Sequence, residues 1–175
     1  MDQPPHAPSA PAFRVGHGYD LHRLEPTPPA GKGRPLVLGG IAISHDMGPI
    51  SHSDGDAVLH AATDAILGAL GLPDIGQLFP NTDQDWESES SDRFLIEATR
   101  LMNQAGYSIS NLDLTIILER PKLSPIKAEM RAKIAQLLDV HESAVNVKGK
   151  THEKVDAVGE GRAVEVHAIV LLAKS

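Results

Sequence analysis

The stretch from Ala163 to Ala173 constrains the fold more than any other segment. Val164, Val166, Ala168, Val170 and Leu172 alternate with a second set of residues, which is the period-2 pattern of a β-strand. The second set is itself partly apolar, so a strand covered in part on both faces is expected. Such a strand needs neighbouring strands and a covering layer to bury its side chains.

Other segments can supply both. Phe13 to Asp20 begins as a short strand and is expected to loosen at Gly16 and Gly18. Leu36 to Ile43 predicts a tight hairpin about Gly39–Gly40. Val58, Leu59, Ala62, Ile66, Leu67 and Leu70 form the apolar stripe of a helix. That helix is expected to start at Ser53 as N-cap, with Asp56 completing a weak capping box, and to stop at Gly71. Asp74 to Glu89 reads as a polar loop around Leu78-Phe79-Pro80. A second helix fits Asp92 to Gln104, stopped by Gly106, and a third is expected from Ser124 as cap, with Pro125 at its first position, to about Leu138. Asp113 to Leu118 and Val145 to Lys148 read as strands. The fold class is α+β, an α/β two-layer sandwich with a mixed four- to five-stranded sheet and three helices on one face. A Pro/Ala-rich tail over 1–12 is expected to be disordered, and 13–175 to form a single domain.

Composition narrows the function. Only 3% of the 175 residues are aromatic, so the core must be aliphatic. The net charge is −7 and no Lys/Arg run occurs, which argues against nucleic acid as a partner. No apolar stretch approaches a membrane span. The absence of cysteine excludes a cysteine-zinc staple and fits a reducing compartment, so a cytoplasmic location is expected.

Two clusters carry chemistry. Asp20 and His22 are two residues apart and point to the same side of an extended segment. His60 falls on the predicted helix and joins them only if that helix packs against the segment. Three N/O ligands with an open position suit a catalytic zinc. Asp56, His60 and Asp64 share a helix face, which makes Asp56 and Asp64 candidates to orient the ligating histidine, or ordinary surface acids. His52 precedes a helix start and can serve as a ligand, a phosphate contact or a solvated loop residue. The second cluster is Lys148-Gly-Lys150-Thr151-His152-Glu153-Lys154. It is no P-loop, but it can hold a phosphate and, through Glu153, a hard cation. A charged loop after a strand is the plainer alternative.

Seven pieces in order give these clusters a context. They are Gly16-His-Gly-Tyr-Asp20-Leu-His22, Leu38-Gly-Gly-Ile41, Ser51-His-Ser-Asp-Gly-Asp56, His60 with Thr63-Asp64-Ala-Ile-Leu-Gly68, Asp74-Ile-Gly76 with Leu78-Phe-Pro80, Pro121-Lys-Leu123 and Thr151-His-Glu153-Lys. Together, from about Arg14 to Lys174, they resemble the 2-C-methyl-D-erythritol 2,4-cyclodiphosphate synthase family of the non-mevalonate isoprenoid pathway. The resemblance implies a lyase that closes a cyclic diphosphate and releases CMP. It also implies a homotrimer around a three-fold axis, with an active site at each subunit interface. By the same resemblance Asp20, His22 and His60 hold Zn2+, and Glu153 holds Mg2+ or Mn2+. His52 and Thr151 fall at the reacting phosphates, and His52 and Ser53 at the erythritol phosphate region. Asp74, Ile75 and Gly76 hold the methylerythritol hydroxyls, beside Phe79, Pro80, Asn81, Thr82 and Asp83. Leu118, Pro121, Lys122, Leu123 and Ser124 bind cytidine from the neighbouring subunit, and Lys150, Thr151, His152 and Glu153 bind the diphosphate. The sequence departs from the common pattern at Asn81, where Asp is usual, and at Lys150, where many bacterial members carry Thr. It departs again at Ala157 and Glu160, where many bacterial members carry Phe and Arg. A zinc phosphohydrolase and a non-catalytic nucleotide- or metal-binding trimer are the rival classes.

Overall fold

The computed structural model describes residues 10–79 and 90–175. The tail expected over 1–12 lies mostly outside the described residues, as do Pro80, Asn81, Thr82 and Asp83. In chain order the strands are β1 (Phe13–Pro26), β2 (Leu36–Leu38), β3 (Ile41–Ile43), β4 (Met47–Pro49), β5 (Tyr107–Ile117), β6 (Val145–Lys150) and β7 (Ala163–Lys174). The α-helices are α1 (Ala57–Leu70), α2 (Ile75–Leu78), α3 (Asp92–Gln104), α4 (Lys127–Leu138) and α5 (Asp156–Gly159). Five strands form a mixed sheet in the order β4-β1-β7-β5-β6, antiparallel except for β5 against β6, and β2 and β3 form a separate hairpin.

β7 is the sheet's spine, pairing with β1 over Phe13–Arg23 and with β5 on its other side. Its Val164, Val166, Ala168, Val170 and Leu172 are buried and meet α1, α3 and α4 in one aliphatic core. Each such side chain removed from water contributes roughly 1.5–3 kcal/mol if large. The opposite face is partly covered, as expected: Val158 of α5 packs on Ile117 and Ala163 at one end of it, and the rest is open in the protomer. Phe13 and Val15 stand 64% and 69% exposed there, with Tyr19, Leu21 and Ile169 beside them.

β1 corrects a second expectation, because it does not loosen at its glycines but runs unbroken for 14 residues. Gly16 and Gly18 serve a close approach. A Cβ at Gly16 would lie 1.8 Å from the Ala65 carbonyl oxygen, and one at Gly18 would lie 1.9 Å from that of Ala61. The α1 backbone therefore rests on the β1 backbone with no side chain between them.

The α1 N-cap is Asp56, not Ser53. Its Oδ1 accepts the Val58 and Leu59 N–H groups at 3.0 and 3.2 Å, and also the Gly39 N–H at 2.9 Å. Its Oδ2 accepts the Gly40 N–H at 2.6 Å. Gly39 and Gly40 have φ of 62° and 75°, as a two-residue hairpin turn demands. One buried carboxylate thus caps the helix and docks the β2–β3 hairpin on it. Further boundaries differ from the sequence reading: β5 begins at Tyr107 rather than Asp113, and β6 runs on to Lys150. The segment after Asp74 opens with the short helix α2, whose N-cap is Asp74. α4 begins at Lys127, after a turn over Ser124-Pro125-Ile126, with no side-chain cap.

Candidate metal centre and active site

Even-numbered residues of β1 face the helices, so Asp20 and His22 extend the row begun by Gly16 and Gly18. Where the glycines end, side chains fit again, and α1 supplies His60 at that level. Asp20 Oδ2 lies 3.0 Å from His22 Nε2 and 3.0 Å from His60 Nδ1, and the two ring nitrogens are 3.3 Å apart. Tetrahedral ligand atoms on a zinc ion at ~2.0–2.2 Å stand roughly 3.3–3.6 Å from one another, within a few tenths of an ångström of these spacings. The three donors therefore fit one divalent ion with a corner left open, and they are the metal-capable cluster found among the described residues. The side chains are only 12–23% exposed.

Electrostatics follows from this triangle. Burial opposes charge on Asp20, yet hydrogen bonds from His22 and His60, with their charge, hold its carboxyl well below the usual range. Burial likewise opposes charge on His60, but the Asp20 carboxylate, aided by Asp56 and Asp54, raises its pKa. Such a site is suited to a cation in place of a proton.

A cavity of about 270 Å³ opens beside the triangle, lined by His22, His60, Ile50, Ser51, His52, Ser53, Ile75, Gly76, Phe79 and Phe94. Arg34 fixes its rim by donating to the Ser51 and His52 carbonyls at 3.0 and 3.3 Å. His52 is exposed and Ser53 buried. Asp64, one turn beyond His60, accepts the Ile75 N–H at 2.8 Å and so sets Ile75 and Gly76 against the cavity. Burial, with the charges of Asp74 and Asp20, raises its pKa against the pull of that N–H. Asp64 and Asp56, both read from sequence as candidates to orient the metal histidine, turn their carboxylates to backbone N–H groups. The side chains on the far nitrogen of His60 are Ser91 at 2.9 Å and Ser53 at 3.3 Å. Ser91 escapes sequence reading because it ends the Ser88-Glu-Ser-Ser91 run, which has no periodicity and no motif.

A second cavity, of about 310 Å³, gathers Leu118, Pro121, Lys122, Leu123 and Ser124 with Lys150, Thr151 and Glu153. Glu119 and Lys127 also line it, and one buried carboxylate oxygen of Glu119 has no hydrogen-bond partner among the described residues. The Thr151 hydroxyl donates to Glu153 at 3.0 Å, and His152 pairs with Asp156 at 2.9 Å, turned along the loop. Arg162 is tied to Glu160. The two cavities share no lining residue, so the sequence-read site falls into two halves within one protomer.

A family model described as the YgbB family matches residues 13–173. The chain belongs to this family. An Arabidopsis thaliana relative named 2-C-methyl-D-erythritol 2,4-cyclodiphosphate synthase, chloroplastic, is 56% identical over 93% of this chain and 68% of its own length. A Chromobacterium violaceum relative with the same enzyme name is 48% identical over 93% of this chain and 99% of its own. A solved structure described as a CDP complex of IspF from Plasmodium falciparum superposes with a TM-score of 0.82 at 40% identity, covering 95% of this chain and 99% of that one. Membership in this synthase family makes the chain an enzyme of the lyase class. No helix among the described residues is long and apolar enough to cross a membrane.

Proposed function

We propose that the chain converts 4-diphosphocytidyl-2-C-methyl-D-erythritol 2-phosphate to 2-C-methyl-D-erythritol 2,4-cyclodiphosphate and CMP. An oxygen of the 2-phosphate attacks the β-phosphorus. The bond from that phosphorus to the oxygen bridging the α-phosphate breaks, and CMP leaves with the bridging oxygen. The observation that carries this reading is the convergence of Asp20, His22 and His60 on the cavity that holds His52, Ser53, Ile75 and Gly76. The names of the relatives, and the CDP bound in a solved relative, support the substrate class.

The chemistry needs no protein nucleophile, because both reacting groups belong to one substrate. Its obstacle is the approach of two anions. Asp20, His22 and His60 would hold Zn2+, which when bound supplies Lewis-acid neutralisation of a phosphoryl oxygen. Glu153, exposed beside Thr151, would hold Mg2+ or Mn2+ together with the diphosphate oxygens, since one carboxylate is too few ligands alone. Ile75 and Gly76, fixed by Asp64, hold the erythritol end, while Leu118, Pro121, Lys122, Leu123 and Ser124 hold cytidine. Pinning both ends of a flexible molecule can supply up to ~7–11 kcal/mol of the barrier reduction. His52 and Thr151 donate to the oxygens of the crowded phosphorus, each worth on the order of 10²-fold in rate.

Two half-sites in one protomer are best completed between protomers. The open apolar sheet face with Phe13, Val15, Tyr19, Leu21 and Ile169 supports assembly of this chain with itself, in our reading as a homotrimer with each active site at an interface. A cytoplasmic location belongs to the same reading and is tested by cell fractionation. The reaction is tested by incubating the chain with the cytidylyl substrate, Zn2+ and Mg2+. Equal yields of CMP and a cyclic diphosphate, resolved by phosphorus NMR, are expected. A linear phosphate product would instead show a phosphohydrolase, and no CMP release at all would overturn catalysis.

A further inference from the structure

We propose that Ser91 and Asp54 are positioning residues that fix the tautomer and aim of His60; this rests on the metal reading above. His60 turns Nδ1 toward Asp20 and His22 and presents Nε2 to Ser91 Oγ, 2.9 Å away. Ser91 Oγ in turn donates to Asp54 Oδ1, and the Ser91 N–H donates to Asp54 Oδ2 at 3.0 Å. The Asp56 N–H, at 3.2 Å from Asp54 Oδ1, holds that carboxylate in place. Ser91 is fully buried, so water does not compete for its hydroxyl.

The direction of the chain of hydrogen bonds follows from donor and acceptor capacity. An ionised carboxylate only accepts, so the Ser91 proton points to Asp54. The serine oxygen is then left as an acceptor, and the proton it accepts is His60 Nε2–H. His60 is held as the tautomer whose Nδ1 lone pair faces the Asp20–His22 corner. This is a carboxylate-histidine-metal arrangement with a serine interposed. Ser53 is a poorer candidate for the same task. It is 3.3 Å from Nε2, already accepts the Gly55 N–H at 3.2 Å, lies 3.3 Å from Ser51 Oγ and lines the substrate cavity. The relay also ties three separate segments to one ring: the loop before α1, α1 itself and the start of α3.

The test uses Ser91→Ala, Ser91→Thr and Asp54→Asn in the purified chain, with zinc affinity read by chelator competition and geometry by the visible absorption of the cobalt-substituted protein. Ser91→Ala is expected to weaken zinc by ~10–100-fold and to alter the cobalt spectrum, while Ser91→Thr, which keeps the hydroxyl, restores both. Asp54→Asn is expected to weaken zinc at least as much. Its amide accepts the Ser91 N–H and donates to Ser91 Oγ, which turns the serine proton onto Nε2 and puts the histidine proton on Nδ1. That variant decides the matter if Ser91→Ala does not fold. Zinc affinity within twofold of wild type, with an unchanged cobalt spectrum, in a folded Ser91→Ala or in Asp54→Asn overturns the relay. Failure of the metal reading looks different: wild type and His60→Ala would then bind zinc alike.

Discussion

At the scale of single residues, the site is an ion-pair triangle whose three donor atoms are placed to fit one divalent cation. Asp20→Ala or His60→Ala is expected to abolish zinc binding and turnover while leaving a folded protein. Metal analysis and circular dichroism check this, and full zinc stoichiometry in both variants would refute the ligand set. The metal-free chain should show the same triangle in its pH dependence. Asp20 titrates below its ordinary value because the hydrogen bonds and charge of His22 and His60 outweigh its burial, so its stabilisation is present above the unfolded value and lost as pH falls through the folded one. His60 titrates above its ordinary value because Asp20 outweighs its burial, so its stabilisation is present below the unfolded value and lost as pH rises through the folded one. The excess Tm of wild type over His60→Gln should therefore be largest between about pH 4 and 6.5 and shrink on both sides. A difference that stays flat from acid to alkali would contradict the pairing. The Asp20-x-His22 half of the triangle was legible in the sequence because alternation along a strand is a local rule. His60 was legible only as a candidate, since its place depends on how α1 packs. Ser91 and Asp54 were not legible, because their partner lies 31 residues from one of them and across three segments.

At the scale of elements, what brings strand and helix together is the pair Gly16 and Gly18. Gly18→Ala would drive a methyl group into the Ala61 carbonyl, and overpacking of this kind costs about 3 kcal/mol or more because backbone must move. Chemical denaturation should show the loss, and zinc affinity should fall with it because α1 carries His60 away from β1. An unchanged zinc affinity would mean that the close approach does not set the site. Asp56→Asn makes a second test. Four N–H groups converge on that carboxylate, and an amide must present its own NH2 to one of them, at a cost of ~1–3 kcal/mol in the same denaturation experiment. A neutral result would show that the hairpin can shift to relieve it. Most elements were readable from periodicity, including α3 at its observed ends and the Gly39–Gly40 hairpin. The errors have a common physical form. Gly16 and Gly18 look like flexibility but provide contact, and Ser53 looks like a cap although Asp56, three residues on, reaches more donors.

At the scale of the whole molecule, the sheet has one face packed on helices and one face mostly open, and the residues proposed to hold the substrate are divided between two cavities. The proposed assembly of the chain with itself would resolve both. Val15→Asp on the open face is expected to lower the sedimentation coefficient to that of a smaller species and cut turnover by on the order of 10²-fold, with zinc still bound to each chain. Full turnover by a monomer would place the complete site in one protomer. The most direct measurement is anomalous diffraction at the zinc edge from zinc-saturated crystals. The account predicts one peak per chain, ~2.0–2.2 Å from Asp20 Oδ2, His22 Nε2 and His60 Nδ1. Those three atoms without a peak between them, or a peak held by other side chains, would contradict it.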